Sequence, residues 1–225
     1  MPQNGIHAIV GVAARKWMPK KEWLLLGVVL GNIFPDLDNI AVAVATLTGG
    51  DTHGLHRTFT HSLFTIAVMV ALFYAIAAVT RNQKWNNFGM GFGAGILMHI
   101  LVDLVAWFNG VELLWPINYE LNFWSWFTVP AWLQVLLDTG EFLAFGLFFA
   151  LLGSLSRRYN TDPERQRSLR GWAYVQFGLF VLFTALFFFM PAFKLLYTIF
   201  GALYLVSLIA ALVITVQMRK TVESV

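Results

Sequence analysis

Four runs of this chain, roughly 62–80, 87–108, 131–155 and 171–190, are almost free of charge. A fifth, roughly 195–217, is set off from the fourth by little more than Pro191 and Lys194. Each is close to or above the ~20 apolar residues with which an α-helix crosses a bilayer. In hydrocarbon every backbone N–H and C=O must be satisfied inside its own segment, so unbroken runs of this kind can only be helices. Two shorter apolar segments, roughly 5–15 and 23–34, come first. The expected fold is therefore all-α: a polytopic membrane helix bundle with a short N-terminal helical hairpin and about five transmembrane helices. Residues 1–155 carry the polar groups of interest, and 156–225 read as a C-terminal transmembrane hairpin packing on the same bundle.

Composition agrees. Of 225 residues, 58% are hydrophobic and 12% charged, too few charges to cover a soluble surface. There is no cysteine, so disulfides and thiolate metal sites are excluded. A metal here would have to be held by His, Asp and Glu, which favours zinc or manganese. No basic leader precedes an apolar stretch, and no cleavable signal is expected. The net charge of +3 arises from a few short loops and not from a continuous basic face, which argues against nucleic acid as a partner.

Those loops alternate. Arg15, Lys16, Lys20 and Lys21 lie between the two short segments, and Arg81 and Lys84 between the first two long ones. Arg157, Arg158, Arg165, Arg167 and Arg170 precede the fourth long run, and Arg219 and Lys220 come after the last. The connections 48–60 and 109–130 hold Arg57 as their one basic residue. The positive-inside rule then puts every basic loop and the C-terminus in the cytoplasm, within a plasma (inner) membrane. It puts the stretch His56-Arg57-Thr58-Phe59-Thr60-His61-Ser62 on the outer side.

Ionisable groups inside membrane segments are costly, and they commonly face a cavity or one another. His99 and Asp103 are four apart on one helix, about 40° apart around its axis. That spacing suits a metal-ligand pair, and it equally suits a buried His–Asp hydrogen bond. Asp36 and Asp38 come just after Pro35, which is expected to break the helix, and either alone reads as a turn cap. His56 and His61 converge only if His56 is in the loop and His61 near the helix start, with Thr60 as N-cap. Counted at ~1.5 Å per residue from the nearest cytoplasmic loop, His7 lies roughly 14 Å deep, Asp36 and His99 roughly 20, Glu141 roughly 24, Asp103 roughly 27 and His61 roughly 30. Structural accidents would scatter in depth. A shared site in the outer half of the bilayer accounts for the layer better.

The early His7, "PDLD", "HRTFTHS", "HILVD", "LLWP" and the later Glu141, in this order, resemble the YdjM-like family of predicted membrane-bound metal-dependent hydrolases. The resemblance runs from about residue 5 to about residue 145. It extends distantly to zinc-dependent phospholipase C and related zinc nucleases. It implies metal roles for His7, Asp36 or Asp38, His61, His99 and Asp103, and makes His56 and Glu141 further candidates. The family often has His where this chain has Asn39, and usually Gly where it has Thr58.

The expected activity is hydrolysis, of a phosphoester first, with a metal-activated water as nucleophile. The cofactor is a divalent metal, zinc before manganese. Seven or eight candidate ligands exceed the three or four of one zinc, so more than one ion is allowed. Asp38, His56, Arg57 and Asp103 are the candidate catalytic residues. Asp38 or Asp103 could bridge two ions. Arg57 is either a planar fork for phosphate or an interfacial arginine reaching for water. The expected partner is a membrane lipid as substrate. The competing readings are a metal or proton transporter, which commonly shows related halves, and a protein whose metal only staples helices.

Overall fold

The computed structural model describes residues 4–190 and 193–224. The elements are helical: α1 (Asn4–Ala13), α2 (Leu24–Ile33), α3 (Asn39–Thr48), α4 (Leu63–Thr80), α5 (Lys84–Ala106), α6 (Ala131–Tyr159), α7 (Gln166–Phe189), α8 (Lys194–Gln217) and the short α9 (Arg219–Glu223). The only β feature among the described residues is an isolated antiparallel bridge between Val111 and Leu121. Six segments are long and apolar enough to cross a membrane. The protein is an all-α membrane helix bundle.

One of the six is longer than the sequence suggests. Pro35 was expected to break the helix, and α2 does end just before it, at Ile33. Phe34–Asp38 then forms a 3-10 turn with proline near its N-terminus, where a missing N–H costs nothing, and the apolar segment goes on as α3 to Thr48. The span is Leu24–Thr48. Packing divides the chain into two compact units, one formed by Val10–Thr128 and the other by residues up to Ile9 with Val129–Ser224. The division expected from sequence was at 155/156.

In the Val10–Thr128 unit, α5 lies between α2 and α4, and glycine makes this possible on both sides. A Cβ on Gly91 or Gly95 would sit 2.1 Å from Leu24 O or 2.3 Å from Val28 O, and one on Gly27 or Gly31 would strike Phe88 O or Phe92 O. The backbones of α2 and α5 are therefore in direct contact. Gly89 and Gly93, on the opposite side of α5, make room instead for the side chains of Phe73 and Val70 of α4. Helices in lipid gain little from apolar burial as such, so close backbone approach and its dispersion energy set the pairing. Phe88, Phe92, Ile96, Ile100 and Leu104 fill the remaining space.

The other unit is built on phenylalanine. Phe142, Phe183, Phe187 and Phe200 form its core. Gln176 Nε2 donates to Ser207 Oγ at 2.9 Å, and Thr184 Oγ1 to Thr139 Oγ1 at 2.8 Å. The start of α1 belongs here: Asn4 Nδ2 donates to Tyr204 Oη at 2.7 Å, and a Cβ on Gly5 would overlap the Ala144 backbone.

Candidate metal centre

Gly91, Gly95, His99 and Asp103 form one i, i+4 series on α5. The glycines bring that face against α2, so the two polar residues emerge where α2 runs out. There His99 Nδ1 donates to the carbonyl of Asn32 at 2.7 Å. A carbonyl can only accept, so the bond fixes the tautomer and leaves the His99 Nε2 lone pair facing inward. The 3-10 turn after α2 presents Asp36 to the same point. Both Asp36 oxygens are buried without a hydrogen-bond partner.

His61 enters from a second 3-10 turn, Phe59–His61. The N-cap of α4 is Ser62, whose side chain accepts from Phe64 N–H. Thr60 is not the cap. Its hydroxyl donates to Asp38 Oδ2 at 2.8 Å and lies 3.0 Å from His61 Nδ1. With its proton given to the carboxylate, Thr60 Oγ1 accepts from His61 Nδ1–H, so the His61 Nε2 lone pair also points inward. Burial pushes the His61 pKa down to about 3, against the pull of Asp103 and Asp38, and keeps the ring neutral.

Four atoms converge. His61 Nε2 lies 3.7 Å from Asp36 Oδ1 and 3.6 Å from Asp103 Oδ2. His99 Nε2 lies 3.7 Å from each of the same oxygens, and the two Nε2 atoms are 3.2 Å apart. The nitrogen–oxygen distances are too long for hydrogen bonds. They resemble the edge of a tetrahedron, about 3.3–3.4 Å when metal–ligand bonds are ~2.0–2.1 Å. Asp36, His61 and His99 form a group able to hold a metal ion, and Asp36, Asp38 and His56 form a second. All but His56 are buried. Three carboxyl groups, those of Asp36, Asp38 and Asp103, are buried in the cluster beside one guanidinium, that of Arg57, and this excess of acidic groups suits a cation.

Asp38 organises the periphery. Oδ1 accepts from His56 Nδ1 at 2.7 Å, and Oδ2 from Arg57 N–H at 3.2 Å as well as from Thr60. Arg57 adopts φ 62, a region unusual for a residue with a side chain, and is buried. Its Nη1 donates to Asn109 O at 3.0 Å, its Nη2 lies 3.4 Å from Asp103 Oδ2, and its carbonyl accepts from Glu112 N–H. The guanidinium thus faces the cluster. Thr58 Oγ1 donates to Gly54 O at 2.8 Å, while Asn39 Nδ2 donates to Asp36 O. A polar cavity of about 310 Å³ opens beside His56 and Arg57, walled by Asn109, Glu112, Glu120 and Asn122.

Seven sequence candidates therefore meet in one unit: Asp36, Asp38, His56, Arg57, His61, His99 and Asp103. His7 and Glu141 lie in the other unit, on α1 and α6, and both are buried. His53 is an exposed loop residue whose N–H donates to Asp51. Thr60, the Asn32 carbonyl and the Asn109 carbonyl hold the site without having been singled out for it. For Thr60 the signal was its place beside His61. The two carbonyls leave no mark in a sequence.

Fold and site together define an integral membrane protein with a buried His/Asp cluster suited to a metal ion. The chain matches the family model described as YdjM inner membrane protein over residues 3–194 and belongs to that family. No curated protein and no solved structure matches it.

Proposed function

We propose that this protein is a metal-dependent hydrolase that cleaves a phosphoester of a lipid-like substrate. The observation that carries the reading is the convergence of Asp36, His61, His99 and Asp103, with both imidazole lone pairs turned inward. A divalent ion held there, zinc before manganese, would supply Lewis acidity and an acidified water.

The other residues divide the remaining work. Asp38 orients His61 through Thr60 and accepts from His56 Nδ1. That leaves His56 Nε2, which has no hydrogen-bond partner, free to exchange a proton with a leaving group from the edge of the cavity. Arg57, pinned by Asn109, presents a fork that would bind and orient a phosphate oxygen. The exposed Trp115, Tyr119, Phe123 and Trp126 suit a membrane interface. They favour a phospholipid or polyprenyl phosphate arriving from the bilayer. On the positive-inside reading the site faces the outer leaflet and the C-terminus the cytoplasm.

A second reading rests on the same four atoms. An ion ligated by four protein atoms has no open position, as in structural zinc sites. The test is purification without chelators, elemental analysis, and a phospholipid turnover screen with and without added metal. Bound divalent metal with metal-dependent turnover is expected. Metal that is needed for folding, with no turnover of any phosphorylated lipid, would leave the structural reading. Absence of metal, with no effect of adding it, would remove both.

A further inference from the structure

The loop joining α6 to α7 belongs to the unit that does not hold the His/Asp cluster. It is flanked by five arginines, Arg157, Arg158, Arg165, Arg167 and Arg170. Only two of them, Arg157 and Arg170, line a groove of about 300 Å³ between the helices. Among the described residues neither makes an ion pair. Gln166 stands beside them at the same end, and Phe149 and Phe177 form the far end. From Arg157 to Phe149 is eight residues along α6, or about 12 Å. From Arg170 to Phe177 is seven along α7, or about 10 Å. The polar and apolar ends of the two helices are therefore in step. Gly153 opens the middle: a Cβ there would meet only Arg157 and Leu169, at 3.7–3.9 Å.

A groove with two unpaired guanidiniums at a helix end and aromatic rings about two turns deeper has the polarity of a lipid lying along the bilayer normal. We propose that it binds a phospholipid of net negative headgroup, with phosphate oxygens on Arg157 and Arg170 and acyl chain against the partly exposed Phe177. Charge complementarity selects this occupant. A zwitterionic lipid would bring its own cation to two arginines that lack a counter-ion. Arg157 and Arg170 lie near the ends of two segments long and apolar enough to cross a membrane, Ala131–Tyr159 and Pro163–Phe189, the position at which basic pockets between helices meet anionic lipids. The site is independent of the His/Asp cluster and stands or falls separately from the hydrolase reading.

The test uses the full chain in mixed micelles with phosphatidylglycerol or phosphatidylcholine, and reads retained lipid by native mass spectrometry. Retention of phosphatidylglycerol should exceed that of phosphatidylcholine by about tenfold or more. R157Q/R170Q should remove that preference, whereas R165Q/R167Q, which changes charge equally outside the groove, should keep it. G153L fills the groove without altering charge and should lower retention as much as the arginine pair does. It carries the test alone should the double replacement fail to fold. Equal retention of the two lipids by the wild type overturns the proposal. So does an equal loss in R165Q/R167Q, or full retention in G153L.

Discussion

The Nε2 atoms of His61 and His99 lie 3.2 Å apart, and the hydrogen bonds at their Nδ1 atoms leave neither with a proton to share. Two lone pairs that face each other in a buried space repel. A cation between them turns the repulsion into two bonds. Asp36 and Asp103 supply the balancing charge from either side.

The two aspartates of the 3-10 turn should behave differently. Asp36→Ala removes an oxygen of the four-atom group and is expected to abolish stoichiometric metal. Asp38→Asn leaves that group and disturbs the orientation of His56, Arg57, Thr60 and His61, so metal affinity should fall about 10–100-fold. Competition with a calibrated chelator measures both. Equal effects would mean that Asp38 ligates directly.

Arg57→Ala is expected to leave metal content unchanged, because a guanidinium stays protonated and cannot ligate. Turnover of a phosphorylated lipid should drop by about 100-fold or more if Arg57 contacts charge that develops in the reaction. Loss of thermal stability at constant turnover would instead assign Arg57 to holding Asp103 and the Asn109 loop.

Acid should weaken the metal-free protein through His61. Its folded pKa, about 3, lies below the ordinary 6.5. Between these values the unfolded chain binds a proton that the folded chain does not, so stability is complete above pH 6.5 and falls as pH drops toward 3. The slope attributable to this ring is at most about 1.4 kcal/mol per pH unit. Thermal melts at pH 7 and pH 5, compared with the same pair for His61→Gln, isolate it. An identical pH dependence in the variant would reject the assignment.

Gly91→Val should cost more than Gly171→Val. The first would drive a side chain into Leu24 O, whereas a Cβ at Gly171 meets nothing within 4 Å. Overpacking of this kind costs about 1–3 kcal/mol. Unfolding in mixed micelles ranks the two, and equal losses would contradict the backbone contact of α2 with α5.

The charges of the loops predict the sidedness. Cysteines introduced at Glu112 and at Arg219 should be labelled by a membrane-impermeant reagent from opposite faces, Glu112 from outside. Labelling of both from one side would remove the outer-leaflet reading.

The spans and the His99/Asp103 pair were legible because a run of apolar residues and a four-residue spacing are local facts. The passage through Pro35 was not. Whether a proline stops a helix or only tightens it into a 3-10 turn depends on the residues beyond it, and here α3 continues to Thr48. Asp36 and Asp38 could not be told apart, since which carboxylate meets His61 Nε2 and which meets His56 is fixed by the geometry of the 3-10 turn Phe34–Asp38. Ser62 and Thr60 are both good caps by type, and the choice falls to Ser62 because Asp38 engages the threonine hydroxyl. Gly91 and Gly95, which lead to His99 on the same helix face, carry no sign in the sequence of what they touch. Only the contact with α2 shows that the spacing continues into the ligands.

That continuity couples two properties that many proteins keep apart. On one side of α5 the same repeat sets how near a neighbouring helix may come and where an imidazole and a carboxylate stand. A change that eases the helices apart would also lengthen the bond from His99 to the Asn32 carbonyl and turn the ring. Selection for a looser or tighter membrane fit, in a thinner bilayer or at another temperature, would therefore act directly on how well the cluster could hold a metal ion.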